Sequence, residues 1–259
     1  MLRILFVSLL TAGTVMAQTA SEIALQIDQR PEPVDMISDM TMKLTSKTGK
    51  TRTLSVHTIR KGEGRMIMWF TAPADDRGVA FLTIEKESGD EMRMWLPSFK
   101  KMRRISTSRK GDSFMGSDLS FEDLTSRKVA DYSHNLLGEE TIDGEEHWLL
   151  ENIPNADLRS SYSRIVSVVR KSDAQVIQET YYDKAGELIK ERSVETGTFG
   201  AYSLPVRMVM RNVQKNSSTE ITFTNIEVDT GVKESLFHER NLRRLPCKRH
   251  GACFFPASC

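Results

Sequence analysis

Residues 65–96 read RMIMWFTAPADDRGVAFLTIEKESGDEMRMWL and set the architecture of the chain. Apolar residues alternate between two faces from Met66 to Phe70, and the same period of two returns at 80–84 and 92–96. This period is typical of a β-strand, because successive side chains point to opposite faces of a sheet. Short gaps that contain glycine or proline separate the runs, so the stretch predicts consecutive antiparallel strands joined by turns.

The alternation continues on both sides of this stretch. Further strand-like runs occur at 40–44, 53–57, 148–151, 165–170, 176–182, 188–194, 206–213 and 221–228. About ten or eleven short strands with regular turns predict a mainly β fold, either a strongly curved antiparallel sheet or an open barrel. Because no change of composition marks a boundary, we expect residues 18–244 to form a single domain.

Two segments predict short helices. Residues 19–30 have an amphipathic pattern that Ser21 can cap, and two prolines follow. Residues 113–125 resemble a loop followed by a helix, with Ser117 as the cap and Asp118 in the first turn, where a negative charge suits the helix dipole. We expect such helices to cover the open face of the sheet.

The beginning of the chain has the three parts of a secretory signal. Arg3 supplies a positive charge, residues 4–12 are mostly apolar, and Val15-Met16-Ala17 has the small-x-small form of a cleavage site. The apolar run is shorter than the ~20 residues that a bilayer span requires. We therefore predict that residues 1–17 are a signal peptide, that the mature chain begins near Gln18, and that the protein is exported to the periplasm.

Composition argues against several functions. The net charge of +1 gives no bulk attraction to nucleic acid. All three cysteines lie in residues 245–259, an atypical tail without an assigned role, and an odd number leaves at least one thiol unpaired or intermolecular. Their even spacing lacks the paired C-x-x-C of structural zinc sites, and the five histidines are scattered. We expect no metal site, no cofactor and no nucleic-acid partner.

A serine hydrolase is the first catalytic possibility to weigh. Ser113, Ser117 and Ser120 lie near Asp118 and Asp123 in the sequence. The G-x-S-x-G elbow of such enzymes is missing, and helix capping explains these residues more simply. The paired acidic residues fall at turn-like positions, where solvated charge is the usual explanation, and no glycine-rich phosphate loop precedes a helix. We therefore expect no enzyme activity.

A basic run occupies the middle of the chain. It contains Lys100, Lys101, Arg103 and Arg104. One interpretation is contact with anionic head groups or with an acidic partner. The other is a charged edge strand and loop that resist aggregation. The sequence leaves both open.

Large apolar residues suggest an interior ligand site. A curved sheet with few helices leaves part of its concave face unfilled, and an unfilled apolar concavity is a ligand site by default. The thirteen methionines suit such a surface, although methionine also fills ordinary core gaps. The candidate lining residues are Met68, Phe70, Phe81, Met94, Trp95, Phe99, Phe114, Met115 and Phe121. An ordinary packed core is the alternative.

Three stretches together resemble the outer-membrane lipoprotein-sorting protein family, the relatives of the periplasmic lipoprotein carrier LolA. They are FTAPADDRGVAFL at 70–82, MWLPSFKKMRRI at 94–105 and SFMGSDLSFEDL at 113–124. The resemblance extends from about residue 20 to Arg244. It implies an incomplete antiparallel β-barrel of the LolA/LolB type with a few short helices over its open face, an apolar interior for acyl chains, and service beside a membrane exporter of the resistance-nodulation-division (RND) type.

These observations lead to three hypotheses. The first is a periplasmic carrier or chaperone that binds the acyl chains of lipoproteins, or a related lipid, in an apolar cavity. The second is an accessory or sensor subunit that docks on an exporter through the basic run and carries nothing. The third is a hydrolase that acts on envelope lipids.

Overall fold

The computed structural model describes residues 18–86 and 89–246. The predicted signal peptide, residues 1–17, and residues 247–259 of the predicted tail lie outside the described residues. The strands are β1 (Asp35–Thr45), β2 (Thr51–Lys61), β3 (Arg65–Ala72), β4 (Ala80–Ile84), β5 (Glu91–Leu96), β6 (Lys101–Ile105), β7 (Tyr132–Ile142), β8 (Glu145–Pro154), β9 (Arg164–Arg170), β10 (Gln175–Tyr182), β11 (Leu188–Phe199), β12 (Tyr202–Asn212) and β13 (Ser217–Val228). The α-helix α1 (Ala20–Asp28) precedes them, and short 3₁₀ helices occur at Pro97–Phe99, Thr107–Arg109, Glu122–Leu124, Val129–Asp131, Glu234–Leu236 and Glu239–Arg243.

The thirteen strands of the described residues belong to one antiparallel sheet. Their order is β6-β5-β4-β3-β2-β1-β13-β12-β11-β10-β9-β8-β7. Two meanders, β1 to β6 and β7 to β13, therefore meet where β1 pairs with β13. The edge strands β6 and β7 do not pair with each other, so the barrel stays incomplete. The predicted fold class, a mainly β, incomplete antiparallel barrel, is confirmed.

Asp35 fixes the junction of the two meanders. Its buried carboxylate accepts hydrogen bonds from the backbone N–H groups of Thr230, Gly231 and Val232 at 2.8, 3.0 and 2.9 Å, and from the Thr230 hydroxyl at 2.7 Å. Burial alone would raise the pKa of Asp35, but these hydrogen bonds outweigh it and hold the pKa below its ordinary value. Gly231 has a φ of +79°, which turns the chain after β13 back across the sheet.

The segment after this turn covers the outer face of the first meander. Ile67 and Trp69 of β3 pack there, together with apolar residues of the neighbouring strands. The covering side chains are Val232, Leu236, Phe237 and Leu242. Trp69 also donates a hydrogen bond from Nε1 to the carbonyl oxygen of Asn241 at 3.3 Å. Burial of each large side chain contributes roughly 1.5–3 kcal/mol, so this cover stabilises the first meander.

The inner face is covered by α1 and by the connection between β6 and β7. Ile23 and Ala24 of α1 pack against Trp148, Leu150 and Val169. The helix prediction is confirmed, but its cap is Thr19 and not Ser21. The Glu22 N–H donates to the Thr19 hydroxyl oxygen at 3.3 Å, and the Thr19 N–H donates to the Glu22 carboxylate at 2.8 Å. This reciprocal capping box uses two donors that the first helical turn leaves unpaired.

The predicted helix at Ser117 is wrong. Residues 114–117 form a turn in which Met115 and Gly116 have φ values of 53° and +76°, and the Ser117 N–H and hydroxyl both donate to the carbonyl of Phe114. Asp118 follows this turn and does not begin a helix. Its carboxylate instead accepts hydrogen bonds from Ser217 and Thr219 on β13. A 3₁₀ turn forms only later, at Glu122–Leu124.

The sequence pattern misses β7 and only partly predicts β6. Every side chain of β7 is at least partly exposed, so this edge strand has no apolar alternation. The strand β6 lies in the basic run and is the other edge, which agrees with one of the two interpretations of that run.

We predict that Asp35→Asn destabilises the fold by about 2 kcal/mol, since an amide cannot accept all of these bonds with the strength of a carboxylate. The pKa of Asp35 is lowered in the folded protein, so its contribution is present above its ordinary pKa and is lost as the pH falls through the lowered one. Urea unfolding measured from pH 7 downwards checks this. The exposed Asp75→Asn serves as the control, and equal effects of the two variants would contradict the assignment.

Candidate functional site

Residues 106–131, here called the strap, run across the concave face of the sheet from β6 to β7. The first half of the strap inserts Phe114 and Phe121 against the inner face of the first meander. The Phe114 ring lies 5.9 Å from Phe70, 5.3 Å from Phe81 and 5.6 Å from Phe121. Each such pair adds about 0.5–1.5 kcal/mol beyond the burial of its area. This half of the strap is therefore an apolar part of the core.

The second half of the strap, residues 122–131, is held by polar contacts, and Asp118 adds another polar contact within the first half. Asp118 accepts hydrogen bonds from the hydroxyls of Ser217 and Thr219 at 2.5 and 2.9 Å. Asp123 pairs with Lys190 of β11, with 2.9 Å between Oδ2 and Nζ. Tyr162 lies between these two groups: its hydroxyl donates to Asp123 at 2.7 Å and accepts from Lys190 at 2.8 Å. Burial and the Asp123 carboxylate raise the pKa of Tyr162, which keeps its proton for this bond.

The third polar contact joins the strap to β10. Glu179 is buried with a side-chain exposure of 0% and pairs with Arg127 of the strap and with Arg192 of β11. Arg192 Nη2 lies 2.7 Å from Glu179 Oε2, and the hydroxyls of Ser167 and Tyr181 also donate to this carboxylate. Burial alone would raise the pKa of Glu179, but Arg127 and Arg192 outweigh it and lower the pKa to about 2.

These polar contacts contribute less to the stability of the closed strap than the aromatic packing does. A buried ion pair loses in desolvation much of what it gains in attraction, so its net contribution is small as long as both partners stay together. Water or a ligand that reaches the same groups replaces their bonds at low cost. The second half of the strap is therefore better suited to opening than the first half.

Two cavities lie on either side of residues 125–128 of the strap, which line both. The first, of about 460 Å³, lies between the strap, the β4–β5 connection, residues 157–162, Tyr181 of β10 and Arg192 of β11. The second, of about 330 Å³, lies between the strap, α1 and the inner face of the sheet from β8 to β13. Both volumes fall in the usual range for ligand pockets, ~300–1,000 Å³.

The second cavity combines an apolar wall with a charged end. Its apolar lining residues are Ala24, Ile27, Val129, Leu150, Val176, Val194, Pro205, Met208 and Phe223. Arg127, Glu179 and Arg192 line it beside the strap, and a second group of charged residues, Asp28, Arg30, Glu32, Arg60 and Glu63, lines it near the end of α1. Such an apolar wall with charged groups beside it fits an amphiphile.

The nine predicted lining residues occupy three places. Met68, Phe70, Phe81, Met94, Phe114 and Phe121 form one buried cluster, and Met115 packs against it. Trp95 lies on the outer face, where the Arg243 guanidinium is 5.2 Å from its ring centre, and Phe99 is 70% exposed at the β5–β6 turn. None of the nine lines either cavity. The strap's own phenylalanines fill the concavity that the sequence suggested was open.

The four basic residues named above, here called the basic edge, lie beside Phe99. Lys100 ends the turn with a φ of 49°, and Lys101, Arg103 and Arg104 follow on β6. Within residues 18–86 and 89–246, no carboxylate lies within 4.0 Å of these four side chains. The basic edge is thus an exposed group of cations next to an exposed aromatic ring.

The hydroxyls weighed for catalysis have other partners. Ser113 donates to the carbonyl of Ser117 at 2.6 Å, and Ser120 donates to Asp123 at 2.8 Å. His134, the histidine that follows these residues in the sequence, contacts Asn152 and the carbonyl of Val129. Among the described residues no group of His, Cys, Asp and Glu could hold a metal, and no helix there is long and apolar enough to cross a membrane.

The sequence does not single out Arg127, Glu179 or Arg192. Arg127 and Glu179 are 52 positions apart, and a spacing of this kind carries no motif. The sequence offers one signal. Glu179 lies two positions before Tyr181, so both side chains point to the same, buried face of β10. A carboxylate on an inward position needs a cationic partner, but the pattern does not say which one.

Comparisons with known proteins agree with this architecture. A family model described as an uncharacterized protein matches residues 62–244. A DUF1329 family protein from Desulfovibrio piger is 31% identical, and the match covers 86% of this chain and 97% of that protein with a TM-score of 0.82. An outer membrane lipoprotein-sorting protein domain from Vibrio parahaemolyticus is 30% identical over 87% of this chain and 98% of that domain, with a TM-score of 0.80.

More distant similarity concerns the fold alone. A LolA superfamily protein from Nitrosomonas europaea is 20% identical, and the match covers 87% of this chain and all of that protein with a TM-score of 0.70. A comparison with curated proteins found no match.

We predict that Glu179→Gln loosens the second half of the strap, because it leaves two guanidinium groups without their buried carboxylate. Removal of one partner from such a group costs about 3 kcal/mol or more. Amide hydrogen exchange at residues 122–128 should accelerate at least ~tenfold, while exchange in β3 and β4 stays slow. In the wild type the protection of these amides, relative to their intrinsic exchange rates at each pH, should fall with acid: the contribution of Glu179 is present above its ordinary pKa of 4.5 and is lost as the pH falls through about 2.

The exposed Glu145→Gln on β8 is the matched control for this experiment. Strap exchange that is unchanged in Glu179→Gln, or equally accelerated in the control, would contradict the role assigned to Glu179.

Proposed function

The chain belongs to the family of the Desulfovibrio and Vibrio proteins, the DUF1329 or outer-membrane lipoprotein-sorting family, and on this premise we propose that it is a periplasmic carrier. Its cargo is the acyl chain of a lipoprotein or of a related lipid, which it shields from water inside the incomplete barrel. The observation that carries the proposal is a strap that closes the concave face through polar contacts and has a cavity on each side.

The physical requirement for such a carrier is large. Removing a sixteen-carbon chain from water is worth on the order of 12 kcal/mol, at ~0.8 kcal/mol per methylene. A carrier has to offset most of this and still release the chain. The apolar wall around Met208 and Phe223 supplies the shielding surface, and flexible methionine side chains repack around chains of different shape. Opening of residues 122–128 would join the two cavities without disturbing the sheet.

Export and the exporter partner complete the proposal. The lipoprotein-sorting relatives and the secretory signal at residues 1–17 support a periplasmic location. Partnership with an RND-type exporter is implied by the family resemblance and stays a prediction.

We predict that Met208→Glu abolishes uptake of a fluorescent fatty acid, since an unpaired carboxylate in the apolar wall is very costly to bury against an acyl chain. Val209→Glu is the matched control, because the adjacent residue of β12 points to the other face of the sheet. Both side chains are only partly buried, so both variants should keep cooperative unfolding. We expect at least ~tenfold weaker binding for Met208→Glu alone, measured by titration. A wild-type protein that takes up no acyl probe would contradict the carrier proposal.

A second candidate function is favoured by the basic edge. An accessory or sensor subunit beside a membrane exporter needs a surface that holds it at the membrane, and it carries no lipid. An exposed aromatic ring flanked by cations without carboxylate partners fits a surface of anionic lipid. Phe99 and the basic edge offer this combination at one end of the sheet.

Vesicle sedimentation tests this second candidate. Exported protein should sediment with phosphatidylglycerol vesicles and not with phosphatidylcholine vesicles, since each basic residue near an anionic surface contributes about 1 kcal/mol. Lys100→Glu/Lys101→Glu should weaken the binding at least ~tenfold. The control Lys47→Glu/Lys50→Glu reverses two charges at the exposed β1–β2 turn. Equal loss in both variants, or a wild type that never sediments, would contradict docking through the basic edge.

A further inference from the structure

The guanidinium groups of Arg127 and Arg192 have more donors than Glu179 can accept. Each guanidinium carries five N–H donors, and each uses Nη2 in its contact with Glu179. The two oxygens of Glu179 also accept bonds from Ser167 and Tyr181, so the carboxylate has no room for further donors. Arg192 Nε is buried and has no hydrogen-bond partner among the described residues. Buried donors of this kind are rare in native structures and call for a partner.

The charges around the two arginines also favour a bound anion. Two cations share one carboxylate at this place, whereas the nearby Asp123 and Lys190 neutralise each other. Both arginines line both cavities, so the uncompensated positive charge faces the space that residues 125–128 divide. A buried charge without a counter-ion is costly, and an anion that enters the cavity relieves that cost.

The rest of the second cavity suits the acyl chain of such an anion. Near the end of α1 the lining carries charges of both signs, and Arg60 lies 4.0 Å from Glu32; these residues are Asp28, Arg30, Glu32, Arg60 and Glu63. Burial, followed by the neighbouring Glu32 and Asp28, raises the pKa of Glu63, while Arg60 lowers it. Because these cations already have carboxylates beside them, whereas Arg127 and Arg192 share one carboxylate, an anion is attracted to the arginine pair. The apolar wall completes the lining.

We propose that Arg127 and Arg192 bind the anionic group of an amphiphilic lipid, a carboxylate or a phosphate, whose acyl chain lies along the wall formed around Val194, Met208 and Phe223. The planar fork of arginine matches both groups and binds them through two parallel hydrogen bonds. This inference rests on the proposed carrier function and narrows its cargo to an acyl lipid with a negative charge at one end. The bound anion also joins the strap to the sheet, because Arg127 belongs to one and Arg192 to the other.

Three ligands with the same ten-carbon chain test the inference on the wild-type protein. Decanoate, decyl phosphate and decanol are compared by displacement of a fluorescent fatty acid. Both anions, or one of them, should bind at least ~tenfold tighter than the alcohol, since hydrogen bonds to a charged group are the strong ones. The tighter of the two anions identifies a carboxylate or a phosphate as the natural group.

Variants then assign the difference to the arginine pair. Arg192→Gln should lower the affinity for the anions at least ~tenfold and leave that for decanol unchanged. Arg207→Gln removes an exposed cation from β12 and should change neither. If the alcohol binds as tightly as both anions, the inference is overturned while the carrier function stands. If none of the three ligands binds, both the inference and the carrier function are contradicted.

Discussion

A sheet of thirteen strands that does not close into a barrel has to bury the apolar side chains on its faces against other parts of the chain. The first meander meets this constraint with two covers: the segment after β13 on the outer face and the phenylalanines of the strap on the inner face. Asp35 connects the two halves, because it holds the chain after β13 at the position from which it can reach the outer face. On the second meander, α1 and the polar half of the strap cover the inner face among the described residues. The cavities lie between this cover and the sheet.

The division of the strap into an apolar and a polar half links stability to function. The apolar half belongs to the core, where aromatic packing opposes any opening that does not also expose large areas to water. The polar half rests on carboxylates, cations and hydroxyls that exchange partners at lower cost. Motion is therefore expected where Asp123 and Arg127 meet the sheet, with Phe114 and Phe121 fixed. A carrier needs this combination, since its interior has to open repeatedly while its sheet stays folded.

The sequence predicts the strands that have one buried face. The strands from β1 to β5 and from β8 to β13 have apolar alternation, which predicts them. The exposed strand β7 has no such pattern. The sequence also predicts a helix at Ser117, which is wrong. Asp118 is fixed by Thr219, 101 positions away, and a partner at this distance leaves no local pattern. The predicted aromatic lining failed to separate the two faces: Trp95 follows Met94 and so points to the opposite side of β5. The charged group around Glu179 depends on contacts between distant strands, which only the fold brings together.

The central claim is that the space between the strap and the sheet holds acyl lipid in the cell. Mass spectrometry of lipid extracted from protein purified from the periplasm under native conditions tests it most directly. We expect an acyl lipid, retained in stoichiometric amount and released when the protein is unfolded. Folded protein that carries no lipid from the cell would contradict the carrier function and leave the docking subunit as the better explanation.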